Sequence, residues 1–217
     1  MTGGQADQME GSGAPKRKYV FKRKPEIKIQ NVVSSADIRQ RLDLNEIARK
    51  IKDSRYEPEK FPGLVLKLKE PKAALLVFNS GKFVCTGTKS IEESALAVRK
   101  AIELMRKHGI KIEGRPLIKA ENIVASAKLF VKIDIEKLAF EMPNTLYEPE
   151  QFPGLIFRMD DPKVVFLVFA SGSLVCTGAK KEADVKRAVY KLREILAERG
   201  YIRGDVEEEE EETSQEA

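Results

Sequence analysis

The stretch "ALLVFNSGKFVCTG", Ala74 to Gly87, holds the fold in miniature. Two apolar runs flank a turn at Ser80 and Gly81, which predicts a β-hairpin. Side chains alternate across a strand. A three-residue connection therefore puts Leu76, Phe78, Val84 and Thr86 on one face and Leu75, Val77, Phe83 and Cys85 on the other. An antiparallel hairpin normally keeps one face for water. Here both faces are apolar, so something must cover the second.

The same text occurs twice. "LVFNSGKFVCTG" at 76–87 returns as "LVFASGSLVCTG" at 167–178, "YEPEKFPGL" at 56–64 as "YEPEQFPGL" at 147–155, and "NVVSSA" at 31–36 as "NIVASA" at 122–127. Every pair is offset by 91, and 27–110 aligns with 118–201 without a gap at 33 identities in 84 positions. An internal repeat at that level is a duplication. It predicts pseudo-two-fold symmetry and two half-sites on one molecule.

Each copy reads as an extended segment, a short amphipathic helix, a "YEPE" loop, a strand after the FPG, a turn at Pro71 or Pro162, the hairpin, and a long helix. Asp43 and Asp134 are the expected N-caps of the short helices. Ser90 and Glu93 have capping-box spacing at the first long helix. Gly109 and Gly200 are the expected residues just past the long helices. The helical apolar stripes read as core. The organisation predicted is a basic flexible segment over 1–26, a first repeat over 27–110, a linker over 111–117, a second repeat over 118–202 and a disordered acidic tail over 203–217. The fold class is α+β. About ten strands form one continuous antiparallel sheet, and four amphipathic helices, each able to cover one surface, sit together on one side. The surplus apolar residues then lie on the uncovered side, and an exposed apolar surface of that size marks a binding site.

Composition narrows what binds there. The 217 residues carry a net charge of +5, distributed as +3 on residues 1–26, −7 on 203–217 and hence +9 on the body between them. A basic body points to an anionic partner, nucleic acid first. With one histidine, His108, and two cysteines, Cys85 and Cys176, a metal centre has too few ligands, and no cofactor is implied. Both cysteines fall in strands and read as buried hydrophobes. His108 falls at a helix end, where it meets the last carbonyls. The N-terminus has no apolar core after a basic start, and no apolar run approaches the ~20 residues needed to cross a bilayer. The expected location is therefore inside the cell, away from membranes.

The ordered double set "NVVSSA"/"NIVASA", "YEPE-x-FPGL" and "F-x-SG-x-[FL]-VCTG-x-K" resembles the conserved core of the TATA-binding proteins over about residues 27–201. The resemblance implies a saddle whose concave underside grips the minor groove of promoter DNA and bends it. It implies that Asn31 and Asn122 hydrogen-bond base acceptors at the two central base pairs, with Thr86 and Thr177 beside them. It makes Val33, Leu76, Val84, Val124, Leu167 and Val175 an aliphatic floor that tolerates A·T and excludes the guanine amino group. Phe61 with Phe78, and Phe152 with Phe169, become wedges at the two ends of the site. Lys67, Ser80, Lys82, Lys89, Arg158, Ser171 and Lys180 become phosphate contacts, which fix position without reading sequence. An isolated aromatic in a strand is usually core; the symmetric pairing on a second apolar face favours the wedge.

The resemblance also implies that the "YEPE" loops are the stirrups of the saddle. The second, with Glu148 and Glu150, is the implied contact for transcription factor B, through which RNA polymerase is reached indirectly. The acidic tail suits archaeal relatives, hence a cytoplasmic, nucleoid-associated protein; "PKRKYVFKRK" reads either as an extra phosphate contact or, in a eukaryote, as a nuclear signal. The tail "GDVEEEEEETSQEA" is expected to be a solvated brush or a competitor of DNA for the basic groove. Two departures weaken the second half's grip: Ser173 stands where Lys82 would recur, and Glu121 where Gln30 would. Two rival readings remain. A saddle-type enzyme finds no nucleophile–base pair or metal cluster in the chain. An interaction module would pair its apolar face with protein or with a second copy, giving a homodimer without DNA.

Overall fold

The computed structural model describes residues 18–203 and 206–209, with side chains placed for 21–203. In chain order the elements are β1 (Lys18–Phe21), β2 (Glu26–Asp37), α1 (Leu44–Lys50), β3 (Ser54–Arg55), β4 (Leu64–Leu68), β5 (Ala73–Val77), β6 (Lys82–Thr88) and α2 (Ile91–Lys107). The second half adds β7 (Leu117–Lys128), β8 (Lys132–Ile133), α3 (Ile135–Glu141), β9 (Thr145–Leu146), β10 (Leu155–Met159), β11 (Val164–Val168), β12 (Ser173–Ala179), α4 (Glu182–Glu198), β13 (Ile202–Arg203) and β14 (Val206–Glu209).

Ten of the strands form one sheet in the order β3-β4-β5-β6-β2-β7-β12-β11-β10-β9, a palindrome of the two repeats. The halves join where β2 runs antiparallel to β7. There Val32 pairs with Ile123, flanked by Asn31 opposite Val124 and Val33 opposite Asn122. The pseudo-dyad thus passes through the Val32–Ile123 pair, and the two asparagines stand symmetrically about it.

Local chemistry accounts for the helix ends, except at the start of α4, where Lys181 makes no side-chain cap bond. Asp43 accepts from the Asn45 and Glu46 amides, and Asp134 from that of Lys137, so both short helices are capped as expected. The Ser90 hydroxyl accepts from Glu93 N, and the Glu93 carboxylate accepts from Lys89 N. Both long helices end in paired six-to-one and five-to-two bonds. Ile110 N donates to Met105 O and Gly109 N to Arg106 O, as Tyr201 N does to Leu196 O and Gly200 N to Ala197 O. His108 Nδ1 lies 2.9 Å from Leu104 O, the expected helix-end contact.

The hairpin closes on Asn79-Ser80-Gly81, and Leu75 faces Cys85 while Leu76 faces Val84. Leu75, Val77, Phe83 and Cys85 are wholly buried against the α2 residues Ala97, Val98, Ala101, Ile102 and Met105. The second repeat builds the matching core from Phe166, Val168, Leu174 and Cys176 under Ala188, Val189, Leu192 and Leu196 of α4. Among the described residues, no helix packs on the opposite face of the sheet. Burial raises both thiols above their ordinary range, that of Cys176 to about 12, so both cysteines are inert core residues.

The termini differ from expectation. Val206–Glu209, inside the segment expected to stay unfolded, form β14 antiparallel to β1 of the basic segment, with Lys18 opposite Glu209 in register. Pairing a basic segment with an acidic one relieves the self-repulsion that disfavours either alone. In the structure these four acidic-tail residues therefore lie on the N-terminal strand and not in the basic groove. Ile202 and Arg203 likewise form β13, paired with β8. Within the expected linker, Leu117 already belongs to β7 and Ile112 is buried. Residues 1–17, 204–205 and 210–217 of the two tail segments lie outside the described residues.

Candidate nucleic-acid interface

The uncovered face of the sheet is lined by half-buried side chains in register. In the first repeat Val65 faces Leu76, and Leu76 faces Val84. In the second Ile156 faces Leu167, and Leu167 faces Val175. Val33 and Val124 lie at the centre, each opposite an asparagine. All of these side chains are half-exposed, as are Thr86 and Thr177. The residues expected to form the floor thus stand as two half-exposed apolar rows, one per repeat, with Ser35 and Ser126 in register beside Val84 and Val175 and with Val33 and Val124 at the centre. Val65 and Ile156 belong to these rows and were not singled out in the sequence. Their signal was alternation, since each lies two residues before Lys67 or Arg158 on the same strand.

The four phenylalanines stand at the two ends as pairs. The Phe61 and Phe78 ring centroids are 5.9 Å apart at 64°, and those of Phe152 and Phe169 are 5.8 Å apart at 68°. Both pairs are edge-to-face, the arrangement the ring quadrupole favours. Phe61 is 38% exposed and Phe152 42%, so neither is sealed in the core. The "YEPE-x-F" turn places them: Phe61 N donates to Glu57 O and Phe152 N to Glu148 O. The FPG glycine makes room for them. A Cβ on Gly63 would lie 2.6 Å from Phe61 Cε1, and one on Gly154 would lie 2.6 Å from Phe152 Cε1. Only a residue without a side chain lets both rings sit over the start of the strand.

The asparagines are held in one orientation. Gly87 lies at a register shift between β6 and β2 with φ +95°, a value that suits glycine. Its amide donates to Asn31 Oδ1 at 2.8 Å. The Gly178 amide, at φ +101°, donates to Asn122 Oδ1 at 2.7 Å. A backbone N–H can only donate, so the oxygen of each side chain must face inward and the NH2 group outward. Asn31 Nδ2 lies 3.1 Å from Thr86 Oγ1, and Asn122 Nδ2 lies 3.2 Å from Thr177 Oγ1. The same Thr hydroxyls lie 3.2 and 3.3 Å from Asn31 Oδ1 and Asn122 Oδ1, so each can donate back to its asparagine, and the second N–H of each Nδ2 is the donor left unspent within the pair, placed symmetrically about the dyad.

Cations flank this surface. Lys67, Lys82, Lys89 and Arg158 are exposed, and none of their side chains has a hydrogen-bond or ion-pair partner among the described residues. Lys180 is engaged instead, with its Nζ 3.3 Å from Glu121 Oε2. Ser80 is exposed at the hairpin loop, and Ser171 Oγ donates to Ser173 Oγ. Glu148 and Glu150 are exposed in the second "YEPE" loop. The first loop differs, because Arg55 and Lys60 both pair with Glu57, whereas Leu146 and Gln151 occupy the matching places beside Glu148. No cluster of metal-ligating residues occurs among the described residues, and no described helix is long and apolar enough to cross a membrane.

Comparison with known proteins gives the family and the fold. The family model described as "Transcription factor TFIID (or TATA-binding protein, TBP)" matches residues 26–108 and again 117–199. The TATA-box-binding protein of Aeropyrum pernix is 51% identical over 184 residues, covering 85% of this chain and 91% of that protein. The one from Archaeoglobus fulgidus is 50% identical over 178 residues, covering 81% and 97%. The solved structure of Methanococcus jannaschii TBP superposes with a TM-score of 0.75 at 49% identity, covering 80% of this chain and 99% of that one.

Proposed function

Because the chain belongs to the TATA-binding protein family, we propose that this TATA-binding transcription factor grips the minor groove with its open face and bends the duplex with its two phenylalanine pairs, nucleating assembly of the initiation complex. The family is one of transcription factors, not enzymes. The observation that carries the finer reading is the open apolar face with the unspent Nδ2 donors of Asn31 and Asn122 at its centre. A·T pairs offer only acceptors in the minor groove, whereas G·C pairs add a protruding amino donor. Donors set in an aliphatic floor match the first and clash with the second. Phe61 with Phe78 and Phe152 with Phe169 act as wedges, and Lys67, Lys82, Lys89, Arg158, Lys180, Ser80 and Ser171 hold phosphates. Unstacking a step costs a few kcal/mol, a magnitude known for minor-groove benders including this family, and is offset by the surface that bent DNA brings into contact.

A titration over duplexes with successive A·T to G·C replacements, with salt varied, tests the reading. Each central replacement is expected to cost about 1–3 kcal/mol while the salt slope stays the same. Equal affinity across the panel would overturn it.

Glu148 and Glu150 are the contact for transcription factor B. Glu148 lacks the intramolecular cations that occupy Glu57, so its charge is available to a basic partner. Reversing both charges (Glu148→Arg, Glu150→Arg) is expected to leave TATA affinity within about two-fold and to abolish recruitment of that factor, since opposed like charges across an interface cost several kcal/mol. A gel shift with and without the factor reads both. RNA polymerase follows through that factor, in the archaeal cytoplasm of the relatives' hosts. In the absence of DNA the same apolar face can pair with a second copy, and sedimentation with and without a TATA duplex would show a dimer that DNA dissolves.

A further inference from the structure

Both ends of the chain converge on one loop of the second repeat. After β7, Leu129, Phe130 and Val131 lead into β8, and β13 pairs with β8 through Ile202 opposite Ile133 and Arg203 opposite Lys132. That pairing fixes the point from which the acidic tail leaves. On the same loop the Arg23 guanidinium lies 5.5 Å from the Phe130 ring centroid, and Phe21, Lys22 and Arg23 line a small hollow with residues 129–131. Phe21 itself is held by α4. The Arg193 guanidinium lies 4.0 Å from the Phe21 ring centroid and 4.9 Å from that of Tyr190, and Arg193 Nη1 donates to Arg23 O at 3.4 Å. Arg193 Nε is buried with no hydrogen-bond partner among the described residues. A guanidinium that gives up water on one nitrogen is held by its ring contacts. At the 91-residue offset the first repeat carries Ile102, Arg99 and Arg39 in place of Arg193, Tyr190 and Phe130, so the dock is a property of the second repeat.

We propose that β1 is a docking strand for an acidic extended segment, filled here by the chain's own β14, and that this pairing parks the acidic tail on the helix side of the molecule, away from the open face. β1 and β14 form a sheet of their own, separate from the ten-stranded one. A two-stranded ribbon alone is marginal in water, so its place depends on the Phe21 dock. Backbone pairing sets the register of such a segment, and charge selects it. Lys18 stands opposite Glu209. In sequence, Arg17 and Lys16 precede β1, and Glu210, Glu211 and Glu212 follow β14. Released, the 14 residues 204–217 reach up to about 50 Å when extended, enough to arrive at the open face. The basic body attracts a freed acidic tail and DNA phosphates alike, so the two then compete. The consequence for DNA rests on the open face being the DNA-binding surface; the docking itself does not.

Two experiments test this. Tyr19→Cys with Glu208→Cys places thiols on residues opposite in register, where Cα atoms about 4.5–5.5 Å apart suit a disulfide. In a glutathione buffer that pair is expected to close in preference to Tyr19→Cys with Glu212→Cys, and adding Phe21→Ala is expected to remove the preference. Cys85 and Cys176 are buried and do not compete. Phe21→Ala changes no charge. In the full chain it is expected to weaken TATA binding about three- to ten-fold at ~0.05 M salt, an effect that fades as salt rises. In a chain truncated after Arg203 the same substitution is expected to change nothing, since no tail is left to release. Equal closure of the two cysteine pairs, or an equal effect of Phe21→Ala at both chain lengths, none included, would overturn the proposal. A wild type that shows no A·T preference would instead break the reading of the open face, and the cysteine pairs would still judge the docking.

Discussion

Replacing Phe61 and Phe152 together by alanine is expected to lower affinity for a TATA duplex by about 100-fold and to remove most of the bend, with only a small loss of stability. Each ring is partly in water and stabilises the fold mainly through its edge-to-face partner, a contribution of about 0.5–1.5 kcal/mol. Against an opened base step the same ring would be worth about 1–3 kcal/mol of stacking and burial. Two independent ends therefore sum to a large binding defect on a folded protein. Phe83 and Phe166 supply the contrast. Both are wholly buried beneath the long helices, and alanine there is expected to cost about 3–5 kcal/mol of stability. Binding titrations beside thermal melts of the two variant classes separate wedge from core. A Phe61/Phe152 variant that binds normally but melts early would place those rings in the core after all.

The second large effect is expected at the centre. In Asn31→Asp with Asn122→Asp, one carboxylate oxygen can still accept from Gly87 or Gly178, so the bulge geometry survives. The outward NH2 becomes an anionic acceptor facing the N3 and O2 acceptors of A·T pairs. Two donors are lost and two charges are desolvated against like partial charge. Leaving a charged group unpaired costs more than the ~1–3 kcal/mol of an ordinary unsatisfied group. About a 1,000-fold loss on TATA duplexes is expected, with melting little changed. Competition titration against the wild type measures it, and each single variant should account for about half of the free-energy loss.

Much of this was legible because the chain states its fold twice. The 91-residue offset placed Phe61 against Phe152 and Asn31 against Asn122 before any pairing was known, and alternation in one hairpin separated Leu75, Val77, Phe83 and Cys85 from their neighbours correctly. Features that depend on pairing across distant strands were not legible. Gln30 and Glu121 stood out as a mismatch between copies, but their place as bulge residues follows only from the β2–β7 register. The inward turn of the Asn31 oxygen depends on the Gly87 amide, released by a second register shift 56 residues away in sequence. In sequence the tails are two separate charge blocks. Their pairing as β1 and β14 is a long-range choice that neither segment's composition expresses.

The central claim is that the open face splays the minor groove. The most direct measurement is the end-to-end distance of a dye-labelled duplex, by energy transfer, as the protein is added. Three duplexes suffice: the A·T element, the same element with inosine–cytosine pairs, which keep the A·T pattern in the minor groove and change the major groove, and a G·C version. The account predicts that the first two shorten sharply at the same protein concentration and the third does not. Shortening that follows the major-groove pattern, or saturable binding with the A·T duplex left straight, would contradict it.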